Sequence, residues 1–227
     1  VTELLVSLAV FLLLHSLPAM PQARAVIIAS VGRKTYLATY SAVSIIVMLW
    51  VLKAALSSDY IPLWDAAAWQ AQVTLVSAPA GLFLVLAGLF SANPASVTLR
   101  GGQQWGAITA VTRHPVLWGF ILWSLGHLAP NGDLRSLILF GGLGMFSVAG
   151  LVVLDRRARR RLGNGWSEVA ATTSLVPFAA IFSGRSRPSV DTPMILALCI
   201  TAAITGWLLT SGHATLFGAD PLSAAGY

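Results

Sequence analysis

Apolar residues in this chain gather into six blocks close to the ~20 residues a membrane helix needs. They run roughly Leu4–Ala19, Tyr36–Ala55, Val73–Ser91, Pro115–Ala129, Leu134–Leu154 and Pro193–Thr210. Most polar and charged positions lie in the stretches between them. Period-two alternation is absent, which disfavours a β-barrel. The pattern predicts an all-α fold, a polytopic membrane helix bundle of about six transmembrane helices. The only long polar connection, Asp155–Thr192, is expected to begin as a continuation of the fifth helix and to break at Gly163 and Gly165. No repeat divides the sequence, so 1–227 is read as a single membrane domain.

Composition narrows the class. The 227 residues are 56% hydrophobic and only 10% charged, against about 25% charged in a soluble domain. That excludes a disordered chain, a coiled coil and an ordinary soluble enzyme. The net charge of +6 is read as topological, so no nucleic-acid partner is expected. Arg24, Arg33 and Lys34 follow the first block, Arg100 and Arg113 follow the third, and Arg156, Arg157, Arg159, Arg160, Arg161, Arg185 and Arg187 follow the fifth. Only Lys53 and Arg135 fall on the other face. The bias places both termini on the non-cytoplasmic side and makes the short fourth block a true span, since dropping it would move the Arg156–Arg161 cluster to the wrong face. The first block is read as a span rather than a signal peptide, because it opens on Glu3 and no cation.

Candidate chemistry is sparse. No block carries a central Asp or Glu, and the single Cys199 rules out an internal disulfide and thiolate-only zinc sites. Cys199 is read as a small packing residue. The Arg156–Arg161 run is read as topogenic and lipid-facing, Asn131-Gly132-Asp133 as a tight turn, and Gly141–Gly144 as a close helix contact. Four histidines remain. By the topology above, His15 and His114 share the cytoplasmic level. His127 lies about 20 Å from His114 along the fourth helix, at a level shared with His213. Two neutral imidazoles on different helices at one depth are what six-coordinate haem iron requires. His15 and His114 are the favoured candidate metal ligands; His127 and His213 form the weaker pair, since His213 sits in a Gly-rich tail. Arg113 is placed to pair a haem propionate, and Trp118 is a candidate cofactor wall. A plainer reading leaves His114 as a cap before Pro115.

The residues also resemble a family. Thr112-Arg113-His114-Pro115-Val116-Leu117-Trp118-Gly119-Phe120, Leu122-Trp123, Gly126-His127-Leu128 and Asn131-Gly132-Asp133 resemble the central motif of NnrU-family membrane proteins. His15-Ser16 resembles the family's upstream element; Gly32-Arg33, Tyr36 and Tyr40-Ser41 resemble its second. Thr173-Ser174-Leu175-Val176-Pro177-Phe178 resembles its closing segment. The blocks run from about Leu12 to Arg187, which implies an NnrU-like core at about 4–187 and an additional C-terminal transmembrane helix at about 193–210. The resemblance implies a multi-pass protein of the bacterial inner membrane, surrounded by lipid and linked to nitrogen-oxide (denitrification) metabolism. Through the related cis-zeta-carotene isomerase it implies haem b held by two histidines, here His15 and His114, and a redox-dependent cis-trans isomerisation of a lipophilic polyene.

Two alternatives accompany this expectation. Arg113-His114-Pro115 with Gly119, a basic segment and Val176-Pro177 is also similar to the isoprenylcysteine and phospholipid methyltransferases, which would imply S-adenosylmethionine-dependent methyl transfer to a lipid or prenyl group. Where those enzymes usually carry a Glu-Glu pair, this chain has Asp155-Arg156-Arg157. The other alternative is a non-enzymatic membrane factor assisting assembly of nitrogen-oxide reductases.

Overall fold

The computed structural model describes residues 1–16, 21–102 and 104–227. Among them every regular element is helical, apart from one isolated antiparallel bridge, Pro62 to Asp133. Four helical runs are long and apolar enough to cross a membrane: Arg33–Leu56, Ala68–Phe90, Leu134–Thr172 and Thr192–Phe217. Thr2–Ser16 and Pro115–Leu128 are shorter apolar helices. Each overlaps one of the six expected blocks. The chain is a multi-pass integral membrane protein. Leu13, Val76 and Met145 are 69%, 72% and 72% exposed, which suits side chains facing lipid rather than water.

Contacts divide the described residues into two compact units. The first comprises Val1–Trp64 with Gly132–Gly142. It holds α1 (Thr2–Ser16), α2 (Pro21–Val31) and α3 (Arg33–Leu56). Positions 17–19, expected to finish the first span, lie outside the described residues. Helix α2 was not foreseen from the sequence. Helix α1 packs on α3 and buries Leu4, Leu8 and Phe11, and the Trp50 indole donates to Glu3 Oε1 at 2.9 Å. The expected turn at Asn131–Asp133 is tied into a bridge. Gly132 O accepts from Leu63 N and Trp64 N, and Leu134 N donates to Ile61 O. Any side chain at Gly132 would run into Trp64 O.

The second unit comprises Asp65–Asn131 with Leu143–Tyr227. Its helix α4 (Ala68–Phe90) is followed by the single turn α5 (Ile108–Val111) and by α6 (Pro115–Leu128). Helices α4 and α6 cross on small residues: a Cβ on Gly81 would stand 2.6 Å from Gly119 O, and one on Gly88 would stand 2.7 Å from a Val116 methyl. Such approach is how membrane helices gain packing where lipid removes the hydrophobic drive. The seam is fastened by Thr74 Oγ1 donating to Gly126 O at 2.6 Å.

After α7 (Leu134–Ser136) in the first unit, α8 (Gly142–Leu162) carries the chain into the second. Helix α8 ends in a 3-10 turn at Gly163–Gly165, where Gly163 has φ +52°, and α9 (Trp166–Thr172) follows. The break thus falls at the expected glycines. The short α10 (Ala179–Phe182) and α11 (Thr192–Trp207) come next. Helix α11 packs on α4, and the core joins Leu84, Ala87, Ile108 and Ala197 with Phe90, Trp118 and Met194 at its edge. Cys199 is exposed rather than packed as the sequence suggested.

Candidate functional site

The start of α6 carries the densest buried polar chemistry in the second unit. Pro115 occupies the first helical position and needs no N–H partner there. A proline also drives the residue before it out of helical geometry. His114 is accordingly the N-cap, at φ −125° and ψ 64°, with no side-chain cap bond. Its ring is turned into the protein and is fully buried.

The closing segment at 173–178 is stapled against this entrance. Arg113 N donates to Ser174 O at 2.8 Å, and Phe178 N donates to Val111 O at 2.7 Å. Thr112 Oγ1 and the Trp118 indole N–H both donate to Leu175 O, at 3.0 and 2.8 Å. Phe178 has φ +63°, a left-handed conformation uncommon for a bulky residue. Two sequence blocks some sixty residues apart therefore form one structural unit.

Inside it lies an ionic knot. Arg113 is buried, its NH1 pairing with Asp155 Oδ1 from α8. Its Nε donates to Thr173 Oγ1 at 2.9 Å, and its guanidinium lies 4.5 Å from the centre of the Trp166 ring. A buried cation is tolerable only when paired and hydrogen-bonded in this way. His114 Nε2 lies 3.4 Å from the same Asp155 oxygen, and Nδ1 lies 2.9 Å from Ser96 Oγ. Asn93 ties the 93–96 loop to the knot, donating to Arg113 O at 3.0 Å. Burial pushes the His114 imidazole down to about 4, with Arg113 adding to that effect and Asp155 opposing it. The ring is neutral at physiological pH. A carboxylate only accepts, so Nε2 carries the proton and Nδ1 accepts from the Ser96 hydroxyl.

His15 belongs to the first unit. Its Nδ1 lies 2.9 Å from Phe11 O, its ring lies 3.9 Å from the Phe11 ring, and Tyr40 meets it edge-on at 5.8 Å. A carbonyl only accepts, so the neutral ring donates from Nδ1 and keeps a lone pair on Nε2. Among the described residues nothing is hydrogen-bonded to that nitrogen.

The expected site residues thus divide. Arg113, His114 and Trp118 share one cluster, whereas His15 is held by α1 and α3. Arg113, expected at a propionate, is engaged by Asp155 and Thr173. His127 Nδ1 bonds Trp123 O, and His213 Nδ1 bonds Ala219 O. No group of three or more metal-ligating side chains occurs among the described residues. A haem iron needs a lone pair from each axial imidazole. His15 has the donor pattern of a ligand, with one nitrogen anchored on Phe11 O and, among the described residues, no hydrogen-bond partner on the other. His114 fits once Nε2 gives up Asp155, a contact longer than the usual 2.7–3.2 Å range. Asp155, Ser96, Asn93, Thr173 and Trp166 were missed as site residues. Two of them had left a signal, Asp155 as the lone acid opening the arginine run and Thr173 as the first residue of the closing segment.

Comparison with known proteins places these observations. The family model described as NnrU protein matches residues 3–221, a span that takes in α11 as well as the expected core. The chloroplastic 15-cis-zeta-carotene isomerase of Arabidopsis thaliana is 37% identical over 78 residues, covering 34% of this chain and 21% of that protein. The Zea mays protein of the same name is 33% identical over 84 residues, covering 37% and 23%. The chain thus covers under a quarter of the length of these relatives. No solved structure matches it.

Proposed function

This chain belongs to the NnrU protein family, and from that premise we propose that it is a membrane-embedded enzyme catalysing cis-trans isomerisation in a lipophilic polyene of the zeta-carotene class. The observation that carries the reading is the likeness to two 15-cis-zeta-carotene isomerases. The setting agrees with it: a substrate of that class reaches a membrane protein from the bilayer, and this chain exposes apolar side chains along its helices. The charge bias of the loops supports an orientation with the arginine-rich segments on the cytoplasmic face of a bacterial inner membrane.

Haem b is proposed as the cofactor, with His15 and His114 as the residues that would hold it. Haem bound there would supply a reversible one-electron change and an exchangeable ligand position on its iron. The chain's own residues do the rest. Phe11 O fixes the tautomer of His15. Ser96 and Asp155 orient His114. The Arg113–Asp155 pair and the 173–178 segment hold His114 away from water. Methyl transfer gains no support, because Asp155, the carboxylate nearest to the methyltransferases' acidic pair, is bound by Arg113 and His114.

The test is chromatography of polyene isomers after incubating detergent-purified protein with 15-cis-zeta-carotene, before and after reduction. Wild type is expected to convert the 15-cis bond, and His15→Ala or His114→Ala to lose at least tenfold in rate. Folded wild-type protein that leaves the isomer ratio unchanged in both redox states would refute the reading.

A further inference from the structure

The one Asp155 oxygen that pairs with Arg113 also faces His114 Nε2. Asp155 stands where the apolar half of α8 ends and its arginines begin, with its side chain 26% exposed, while His114 is fully buried. The salt bridge fixes the carboxylate, and the carboxylate in turn selects one state of the ring. We propose that Asp155 is a positioning residue for His114. Anchored by Arg113, it holds the imidazole as the Nε2–H tautomer and would compete with a haem iron for that nitrogen.

The competition follows from valence, because a nitrogen that carries a proton has no lone pair for iron. Freeing Nε2 requires a tautomer change in which its proton leaves and another joins Nδ1. Ser96 Oγ, 2.9 Å from Nδ1, then turns from donor to acceptor, a change open to a hydroxyl because its hydrogen rotates. Every polar partner of the ring can follow the switch except the carboxylate, which cannot donate to a bare Nε2. Asp155 is therefore the element that biases the ring. The inference rests on the proposed role of His114 as a haem ligand.

Nitrogen-15 NMR of histidine-labelled protein in detergent, at pH 8 and without haem, tests it, with the His114 signals identified by their loss in His114→Gln. Wild type is expected to show a protonated Nε2 and an accepting Nδ1. In Asp155→Asn the atom shared by Arg113 and His114 becomes an amide oxygen, a neutral and weaker acceptor than the carboxylate, so the bias toward Nε2–H should fall and the Nδ1–H population should rise. Asp155→Glu should restore the wild-type state. Titration with haemin, followed by absorbance, is expected to give at least fivefold tighter binding to Asp155→Asn than to wild type. A wild-type His114 already protonated at Nδ1, an unchanged tautomer in Asp155→Asn, or equal or weaker haemin binding by that variant would overturn the proposal. If neither protein takes up haemin, the haem reading fails and the nitrogen shifts alone decide the role of Asp155. If Asp155→Asn does not fold, the wild-type tautomer decides.

Discussion

Replacing Gly119 with alanine should force α4 and α6 apart. The added Cβ would lie 2.5 Å from Gly81 O, 2.7 Å from Val85 Cγ2 and 2.8 Å from Val85 N. Ordinary contact begins near 3.4 Å, so the seam must open by about 0.6–0.9 Å. Two of the three obstacles are backbone atoms, which cannot swing aside as a side-chain tip can. Overpacking of this kind costs about 1–3 kcal/mol, and a gap of that size forfeits a quarter to a half of each dispersion contact along the seam. Alanine's better helix propensity returns up to about 1 kcal/mol. The net loss is about 1–2 kcal/mol, or roughly 2–8 °C in apparent melting temperature for a chain of this length. Gly206→Ala is the internal control, because nothing lies within 4 Å of its added Cβ on α11. Differential scanning fluorimetry of both variants in one detergent reads the contrast. Gly119→Ala should melt earlier, and Gly206→Ala should melt with wild type or slightly later. A Gly119→Ala melting point within about 1 °C of wild type, or equal shifts in both variants, would refute the close-crossing argument.

Asp155→Ala leaves the buried Arg113 unpaired and should cost about 3 kcal/mol, read as a lower midpoint in denaturant-dependent loss of circular dichroism. Asp191→Ala removes the α11 cap, in which Asp191 accepts from Met194 N at 3.1 Å and from Ala107 N at 2.9 Å. The expected loss is about 2 kcal/mol, visible in the same melt. Thr112→Val deletes the hydroxyl that donates to Leu175 O. It should destabilise by about 1 kcal/mol and speed limited proteolysis near residue 175.

Much of this architecture could be read directly from the chain. Bilayer thickness dictates block length, so the six apolar blocks marked the helices, and the Gly163–Gly165 break followed from backbone chemistry alone. Helix α2 escaped because Pro21–Val31 is short and carries Arg24. It reads as a loop to any test based on span length. The Arg113-His114-Pro115 cluster was legible as a motif, but its partners were not. Asp155 comes from α8 and Thr173 from the segment after α9, and no local pattern encodes which distant carboxylate a buried arginine will meet. Cys199 was misjudged because the middle of a membrane helix need not be its packed face, and its burial depends on which side meets α4.

The most direct measurement is the visible absorption spectrum of detergent-purified protein, oxidised and then reduced, alongside a pyridine haemochrome assay. The account predicts a Soret band and one haem b per chain in wild type, lost in His15→Ala and in His114→Ala while both variants remain folded. A folded wild-type protein with no Soret band, purified from haem-replete cells and unchanged by added haemin, would contradict it.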